Sequence, residues 1–560
     1  MSSPQPATVP DPNSTQAPAT TVPVSNAPVQ SIKLLFAGLM VTQLLSALNQ
    51  TVLSSALPTL VGELNGVEHM TWVITAFILA ATITMPIYGK LSDLLGRKPL
   101  LIAAILIFVA GSLVGALAQD MPTLIIARAI QGLGGGGLMI LSQAAIADVI
   151  PARERGKYMG IMGAVFAVSS VAGPLLGGWF TEGPGWRWAF WINLPLGALA
   201  LAATIAFLKI PRPVLKEKPK LDYLGMALIS VATTAIVLTL TWGGSQYSWG
   251  STTIISMIVI AALSTAAFIW SQSKAQNPIM PLFLFKDRNF ILTTISALAA
   301  GIAMFGAIGY MPTYLQMAGG YSATIAGLLM TPMMAFLLVA SIVSGIVVSR
   351  TGKYKTMPIL GSFILTIGML LMATIKVDTS IVVICIFLGV VGTGLGLSMQ
   401  ILTLIVQNSF PLRHVGTATA ANNYFRQVGA TLGSAVVGSL FANRLLDLVA
   451  SHLGPMAEQV GDTSSFTPAM VHGLPPEVKL PIVTAYNEAL MPIYLWLVPL
   501  ALLSAIVLFF LKQKPLATTI ESIEEQLAEP VGSTAIEHVL QAEERVKRAK
   551  EPAPTTGIGK

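Results

Sequence analysis

Cysteine is almost absent: Cys385 is the one thiol in 560 residues. That excludes a disulfide framework and a cysteine-based metal site, and its place in an apolar run makes it a small buried hydrophobe. Charge is scarce too. Asp, Glu, Lys and Arg together make 10% of the chain, against roughly 25% in an average soluble domain. The five histidines, His69, His414, His452, His472 and His538, fall in predicted loops or tails. They form no nucleophile–base pair and no metal cluster, so neither an enzyme nor a metal or cofactor is expected. No Gly-x-x-x-x-Gly-Lys-Ser/Thr loop occurs, which argues against ATP as the energy source. What is plentiful is apolar. Hydrophobic residues make 54% and the mean hydropathy is +0.73. A soluble globular enzyme, a disordered chain and a fibre are excluded, leaving an all-α protein that crosses the bilayer many times.

Fourteen apolar segments of about twenty residues each match the length needed to cross a ~30 Å hydrocarbon core as a helix. They cover 34–57, 70–88, 100–118, 122–147, 157–180, 188–208, 223–243, 252–270, 290–314, 322–349, 357–375, 380–408, 416–442 and 491–511. The runs are too long and too continuous for a β-barrel. The net charge is +7, and its distribution points to lipid and away from nucleic acid. With the amino-terminal tail inside, 26 of the 32 Lys and Arg residues fall in inner loops and tails. Four (Arg187, Lys376, Arg444 and Lys479) fall outside, and Arg128 and Arg426 lie within segments. Positive charge gathers on the cytoplasmic side, so an even number of crossings with both termini cytoplasmic is expected, in the plasma membrane. Adding or removing one segment destroys the asymmetry.

The first 30 or so residues are Pro, Ala, Ser, Thr and Val with one acid, Asp11, and no base. Such a stretch cannot bury a core, and it lacks the basic start of a signal peptide. The expected domains are a disordered tail at 1–32, a six-helix bundle at 33–209, two linker helices with their loops at 210–288, a second bundle at 289–511 and a tail at 512–560. The second bundle includes a long outer loop at 443–490, read as functional or loosely ordered. Ile520, Ile523, Leu527, Ile536 and Leu540 recur at rough helical spacing in the last tail, which reads as one or two amphipathic helices.

Between the second and third segments the chain reads Gly89-Lys-Leu-Ser-Asp93-Leu-Leu-Gly96-Arg97-Lys98-Pro99. Glycines permit the tight reversal, and Asp93 stands alone among bases. The loop resembles the signature of the major facilitator superfamily, with Leu94 where Arg is usual. A degraded copy follows 256 residues later as Gly345-Ile-Val-Val-Ser349-Arg350-Thr-Gly352-Lys353, with Ser349 in the Asp place, as a duplicated transporter would show. Arg128-Ala-Ile-Gln131-Gly132 opens a glycine run in the fourth segment. The fifth carries Gly163, Gly173, Pro174 and Gly177 at spacings that let helix backbones touch. These resemble the second and third superfamily motifs, the Gly-Pro-x-x-Gly-Gly form being that of exporters. With Trp186 to Pro195 and Asn49 to Pro58, the chain looks like the fourteen-helix drug:proton antiporters of the EmrB/QacA type. That resemblance implies the major facilitator fold. It also implies a latch in which Arg97 bonds an acid at the inner end of the fourth helix (Asp148) and Asp93 caps the thirteenth near Gly416. Breaking such bonds by protonation would favour the inward-open state.

One departure stands out: the branch usually carries Asp where this chain has Asn49, which cannot carry a proton. A mid-bilayer charge costs ~2.5–3.5 kcal/mol on insertion scales, so Arg426 is a candidate for function. Asn422 and Asn423 join it and Gln427 in a polar stripe at helical spacing. Arg128 either snorkels outward or faces inward. Gln43, Ser46, Asn49, Gln50 and Ser54, with Gln400, Gln407, Tyr310, Tyr314, Met399 and Tyr424, are expected to line a central cavity. Without a carboxylate on the first helix, that cavity should not select strongly for cations. The leading expectation is a monomeric multidrug exporter of lipophilic small molecules, driven by protons through alternating access. Rivals are export of a lipid or self-made metabolite on the same fold, and a sensor or scaffold that has lost transport.

Overall fold

The computed structural model describes residues 32–64, 66–210, 220–244, 246–453 and 468–518. The tail at 1–31, the middle of the 443–490 stretch and the amphipathic helices expected after 519 lie outside the described residues.

Among the described residues the chain is helical, with no strand beyond one isolated bridge between Gly243 and Tyr247. The helices are α1 (Ile32–Glu63), α2 (Met70–Leu95), α3 (Arg97–Ala116), α4 (Met121–Val149), α5 (Ala152–Glu182), α6 (Trp188–Trp191) and α7 (Asn193–Phe207). Then follow α8 (Tyr223–Trp242), α9 (Thr252–Lys274), α10 (Arg288–Ile308), α11 (Met311–Met317), α12 (Ala323–Leu329) and α13 (Thr331–Thr351). The series closes with α14 (Thr356–Met372), α15 (Ile381–Gln407), α16 (Leu412–Leu453), α17 (Pro468–Gly473) and α18 (Pro476–Phe509). Among the described residues thirteen helical runs are long and apolar enough to cross a membrane, and α14, at 17 residues, is a shorter apolar one. At ~1.5 Å per residue, α14 spans roughly 26 Å and needs local thinning or flanking residues to complete a crossing.

Helix starts follow local chemistry. Asp120, Asp222, Ser251, Asp287 and Ser322 each accept a backbone N–H three residues on with the side chain, satisfying a donor that the first helical turn leaves free. Glycine is required at the two helix ends that close the repeated motif. Gly96 at φ 90° ends α2, and Gly352 at φ 72°, 256 residues later, ends α13. Side chains rarely adopt a positive φ, so the repeated motif puts glycine at both helix ends, with ψ 157° at Gly96 and 0° at Gly352.

Several expected segments are broken or extended. Residues 188–208 form α6 and α7; residues 290–314 split into α10 and α11, and 322–349 into α12 and α13. The larger correction concerns the outer loop expected at 443–490. Helix α16 runs on to Leu453 and α18 starts at Pro476, so both ends of that stretch are helical. At ~1.5 Å per residue, the 42 residues of α16 reach roughly 63 Å, about twice the hydrocarbon thickness. The projecting turns have their own small core of Leu445, Val449, Leu453, Val471, Ile482 and Tyr486. His452 Nε2 lies 2.9 Å from Glu488 Oε2 on its surface.

Helices α1 to α7 pack chiefly on one another, as do α10 and α13 to α18, with α8 and α9 paired beside α2 and α16. The two groups meet along α5 against α13 and α2 against α16. The site lies between them.

Candidate functional site

The end of the molecule that carries the basic loops is closed by bonds between the two helix groups. Asp93, near the end of α2, accepts the backbone N–H groups of Gly416 at 3.0 Å and Thr417 at 2.7 Å, and the Thr417 hydroxyl at 2.5 Å. Gly416 and Thr417 are the fifth and sixth residues of α16, so the carboxylate sits beside the early turns of that helix, nearer the positive end of its dipole. Arg97, 4% exposed, joins Asp93 at 2.6 Å to Asp148 at the end of α4 at 3.0 Å. Gly89 and Gly96 allow the arrangement. A methyl on Gly89 would stand 2.8 Å from the Gly416 carbonyl oxygen, so bare backbone lets α2 approach α16.

The second motif copy makes the corresponding contact without a carboxylate. Ser349 Oγ accepts the Lys157 N–H at 3.0 Å, and Arg153 donates to the Ser349 and Arg350 carbonyls. Gly345 and Gly156 bring α13 onto α5. The segment after α18 runs across this end. Asn289 donates to the Lys512 carbonyl at 2.8 Å, and Ala517 O accepts the Arg153 N–H at 3.0 Å.

Between the two helix groups lies a cavity of about 120 Å³, continuous with solvent, walled by α1, α2, α4, α5, α10, α13, α15 and α16. Of the expected lining residues, Gln43, Ser46, Gln50, Met399, Gln400 and Arg426 are on its wall. Gln50 is exposed through it, whereas Gln43, two turns nearer the basic end, is buried. Gly163 belongs to the wall too, where a methyl would press on the Gln400 stem at 3.1 Å. Gly173 and Gly177 instead seat α5 on α1, against Thr51 and Val52, and Pro174 faces Gly327 of α12.

The other expected lining residues lie elsewhere, each because it has a partner that sequence cannot show. Asn422 donates to Thr294. Asn423 donates to Gln143 of α4 at 3.0 Å, and Gln407 donates to the Gln143 carbonyl at 3.2 Å. Both thus bridge the two groups. Tyr310 donates to the Ser434 carbonyl at 3.0 Å; Tyr314 accepts from Asn487 at 2.8 Å. Tyr424 pairs with Thr233 of α8 at 2.9 Å, tying that helix to α16.

Asn49 likewise faces the interior of the first group. Its Oδ1 accepts from Gln131 at 3.2 Å and from Asn193 at 3.1 Å, while its Nδ2 has no partner among the described residues. Arg128, 2% exposed, does not snorkel. It donates to the Val73 carbonyl at 3.0 Å and Gln131 Oε1 at 2.7 Å, with Phe77 4.3 Å below its plane. A guanidinium bonded this way keeps its charge solvated by carbonyl, amide and ring.

Sequence reasoning passed over Gln143, Asn193, Ser341 and Asn487. Gln143 and Asn193 are isolated amides in long apolar runs, and that isolation is the one signal that could have found them.

A family model described as the Major Facilitator Superfamily matches residues 39–434. An uncharacterised MFS-type transporter of Mycobacterium tuberculosis is 40% identical over 86% of this chain and 70% of its own length. The multidrug transporter protein MdtP of Bacillus subtilis is 36% identical over 79% of this chain and 81% of its own. In fold, the crystal structure of the human organic anion transporter MFSD10 (TETRAN) superposes with a TM-score of 0.56 at 16% identity, covering 85% of this chain and 99% of that one. The chain is a multi-pass membrane protein and belongs to the Major Facilitator Superfamily, a family of transporters.

Proposed function

We propose that this protein exports lipophilic small molecules across the plasma membrane, driven by the proton gradient, as a fourteen-helix antiporter of the EmrB/QacA type. The bundles at 33–209 and 289–511 rock about the central cavity, with the linker helices at 210–288 alongside and both termini in the cytoplasm. One observation carries the reading: a cavity walled by both helix groups lies above a buried ion-pair cluster, Asp93 and Arg97 with Asp148, whose Asp93 also holds Gly416 and Thr417 of the second group. Midplane sites between repeats are the arrangement that alternating access requires. In this reading Asp93 and Arg97 latch the cytoplasmic end. Protonation of Asp93 or Asp148 removes a charge from the cluster and frees the groups to part there. The relative named a multidrug transporter supports efflux of drug-like compounds.

Purified protein in proteoliposomes tests the proposal. An imposed pH gradient should drive accumulation of a lipophilic dye, and a protonophore should abolish it. Accumulation indifferent to the gradient contradicts the proton-driven reading.

A further inference from the structure

The central cavity holds charge of one sign. Arg426 is the one charged side chain among the described residues of its wall. Its guanidinium donates to Asn423 Oδ1, and among the described ion pairs none supplies it with a carboxylate. Gln43 and Gln400 are each 7% exposed and also line the cavity. Among the described residues the Oε1 atom of each is buried without a hydrogen-bond partner. The remaining wall is mainly apolar and includes four methionines and three phenylalanines.

We infer that the cavity selects amphiphilic anions: small lipophilic molecules with one carboxylate or sulfonate head and an N–H or O–H donor beside it. The inference rests on reading the cavity as the transport site. A planar guanidinium fork matches a carboxylate or sulfonate edge. Attraction between opposite charges grows where water is displaced, and a permanent cation meets the same factor with the opposite sign. The two orphaned amide oxygens add specificity, because a buried acceptor left unpaired is costly and a ligand donor relieves it once the amide turns toward the cavity. Thioether and ring surfaces accommodate apolar bodies of many shapes.

Three dyes sharing one fluorophore and one sulfonamide test the assignment. They are dansylglycine, neutral N-propyl dansylamide, and the dansylamidoethyl trimethylammonium ion. Each is titrated into the full chain in nanodiscs of zwitterionic lipid, with empty nanodiscs as the blank. Dansylglycine should bind about tenfold tighter than the quaternary ammonium. Arg426→Gln should erase that ratio, and Arg426→Lys should keep its direction. Equal or tighter binding of the quaternary ion to the unaltered protein overturns the inference, and so does saturable binding of none of the dyes. A ratio that survives Arg426→Gln overturns it as well. Should a variant fail to fold, the ratio measured on the unaltered protein still decides for or against anion selection. If dioleoylphosphatidylglycerol in the disc displaces dansylglycine, the anion site holds and takes lipid headgroups; if not, it holds for free amphiphiles. Flux in proteoliposomes is read separately. Flux without anion preference sinks this inference alone, and anion preference without flux sinks the export reading alone.

Discussion

Gly156 and Gly345 meet backbone to backbone, so that a methyl carbon on Gly156 would stand 2.9 Å from the Gly345 carbonyl oxygen. The contact joins α5 to α13 at the end we assign to the cytoplasm, and only bare backbone fits. Gly345→Ala or Gly156→Ala should therefore hinder closure at that end. Overpacking of this kind costs ~1–3 kcal/mol, or roughly 5–150-fold in the closed population. Helix propensity moves the other way, Ala being better than Gly by ~1 kcal/mol, so the variants should still fold. Dye efflux from cells with matched expression measures the effect. Unchanged efflux would show that closure does not need the contact.

Asp93 carries the charged half of the same closure. Asp93→Asn keeps the shape and removes the charge from the bonds to Gly416, Thr417 and Arg97. Bonds to charged groups contribute ~1.5–3 kcal/mol each against ~0.5–1.5 for neutral ones. Efflux should fall about tenfold or more, and thiols placed on the cytoplasmic half of α16 should label faster. Folding should persist because Arg97 retains Asp148 at 3.0 Å. Equal labelling rates in the variant and the unaltered protein would remove Asp93 from the latch.

Asn49→Asp tests a position that the structure has moved out of the cavity. The new carboxylate can accept from Gln131 and Asn193 as the amide does, and its second oxygen replaces an Nδ2 that has no partner among the described residues. The variant should fold and gain a new pH dependence of efflux, with its substrate range unaltered. An altered range with an unaltered pH profile would place residue 49 at the substrate.

Stability at low pH should register Asp120. Its carboxylate caps α4, and the bond from the Thr123 N–H at 2.7 Å holds its carboxyl below the usual range. A depressed carboxylate stabilises the fold above its unfolded pKa and loses that contribution as pH falls through the folded value. The melting temperature should therefore exceed that of Asp120→Ala near neutral pH, with the gap closing in acid. A gap constant with pH would mean the cap does not depend on charge.

The turn glycines were legible because their role is local. Gly96 and Gly352 need only their own positive φ angles, so a motif repeated after 256 residues ends a helix on glycine twice. Asp93 bonds Gly416 and Arg97 bonds Asp148; the latch that the superfamily resemblance implies is what the Asp93→Asn variant tests. Asn49, Tyr314 and Tyr424 were misplaced because their partners stand far along the chain, at 193, 487 and 233. Facing direction in a helix is then settled by pairing, which periodicity does not carry. The projecting turns of α16 were missed for another reason. Hydrophobicity marks where the membrane ends, whereas a helix continues as long as its neighbour, here α18, covers its apolar stripe.

Access to the cavity tests the central claim most directly. A single cysteine at Ser46, in a chain with Cys385→Ser, is labelled with a membrane-impermeant maleimide from each side in turn. Labelling should come from outside in the unaltered latch and from the cytoplasm when Asp93→Asn is added. Labelling from one and the same side in both proteins would contradict alternating access.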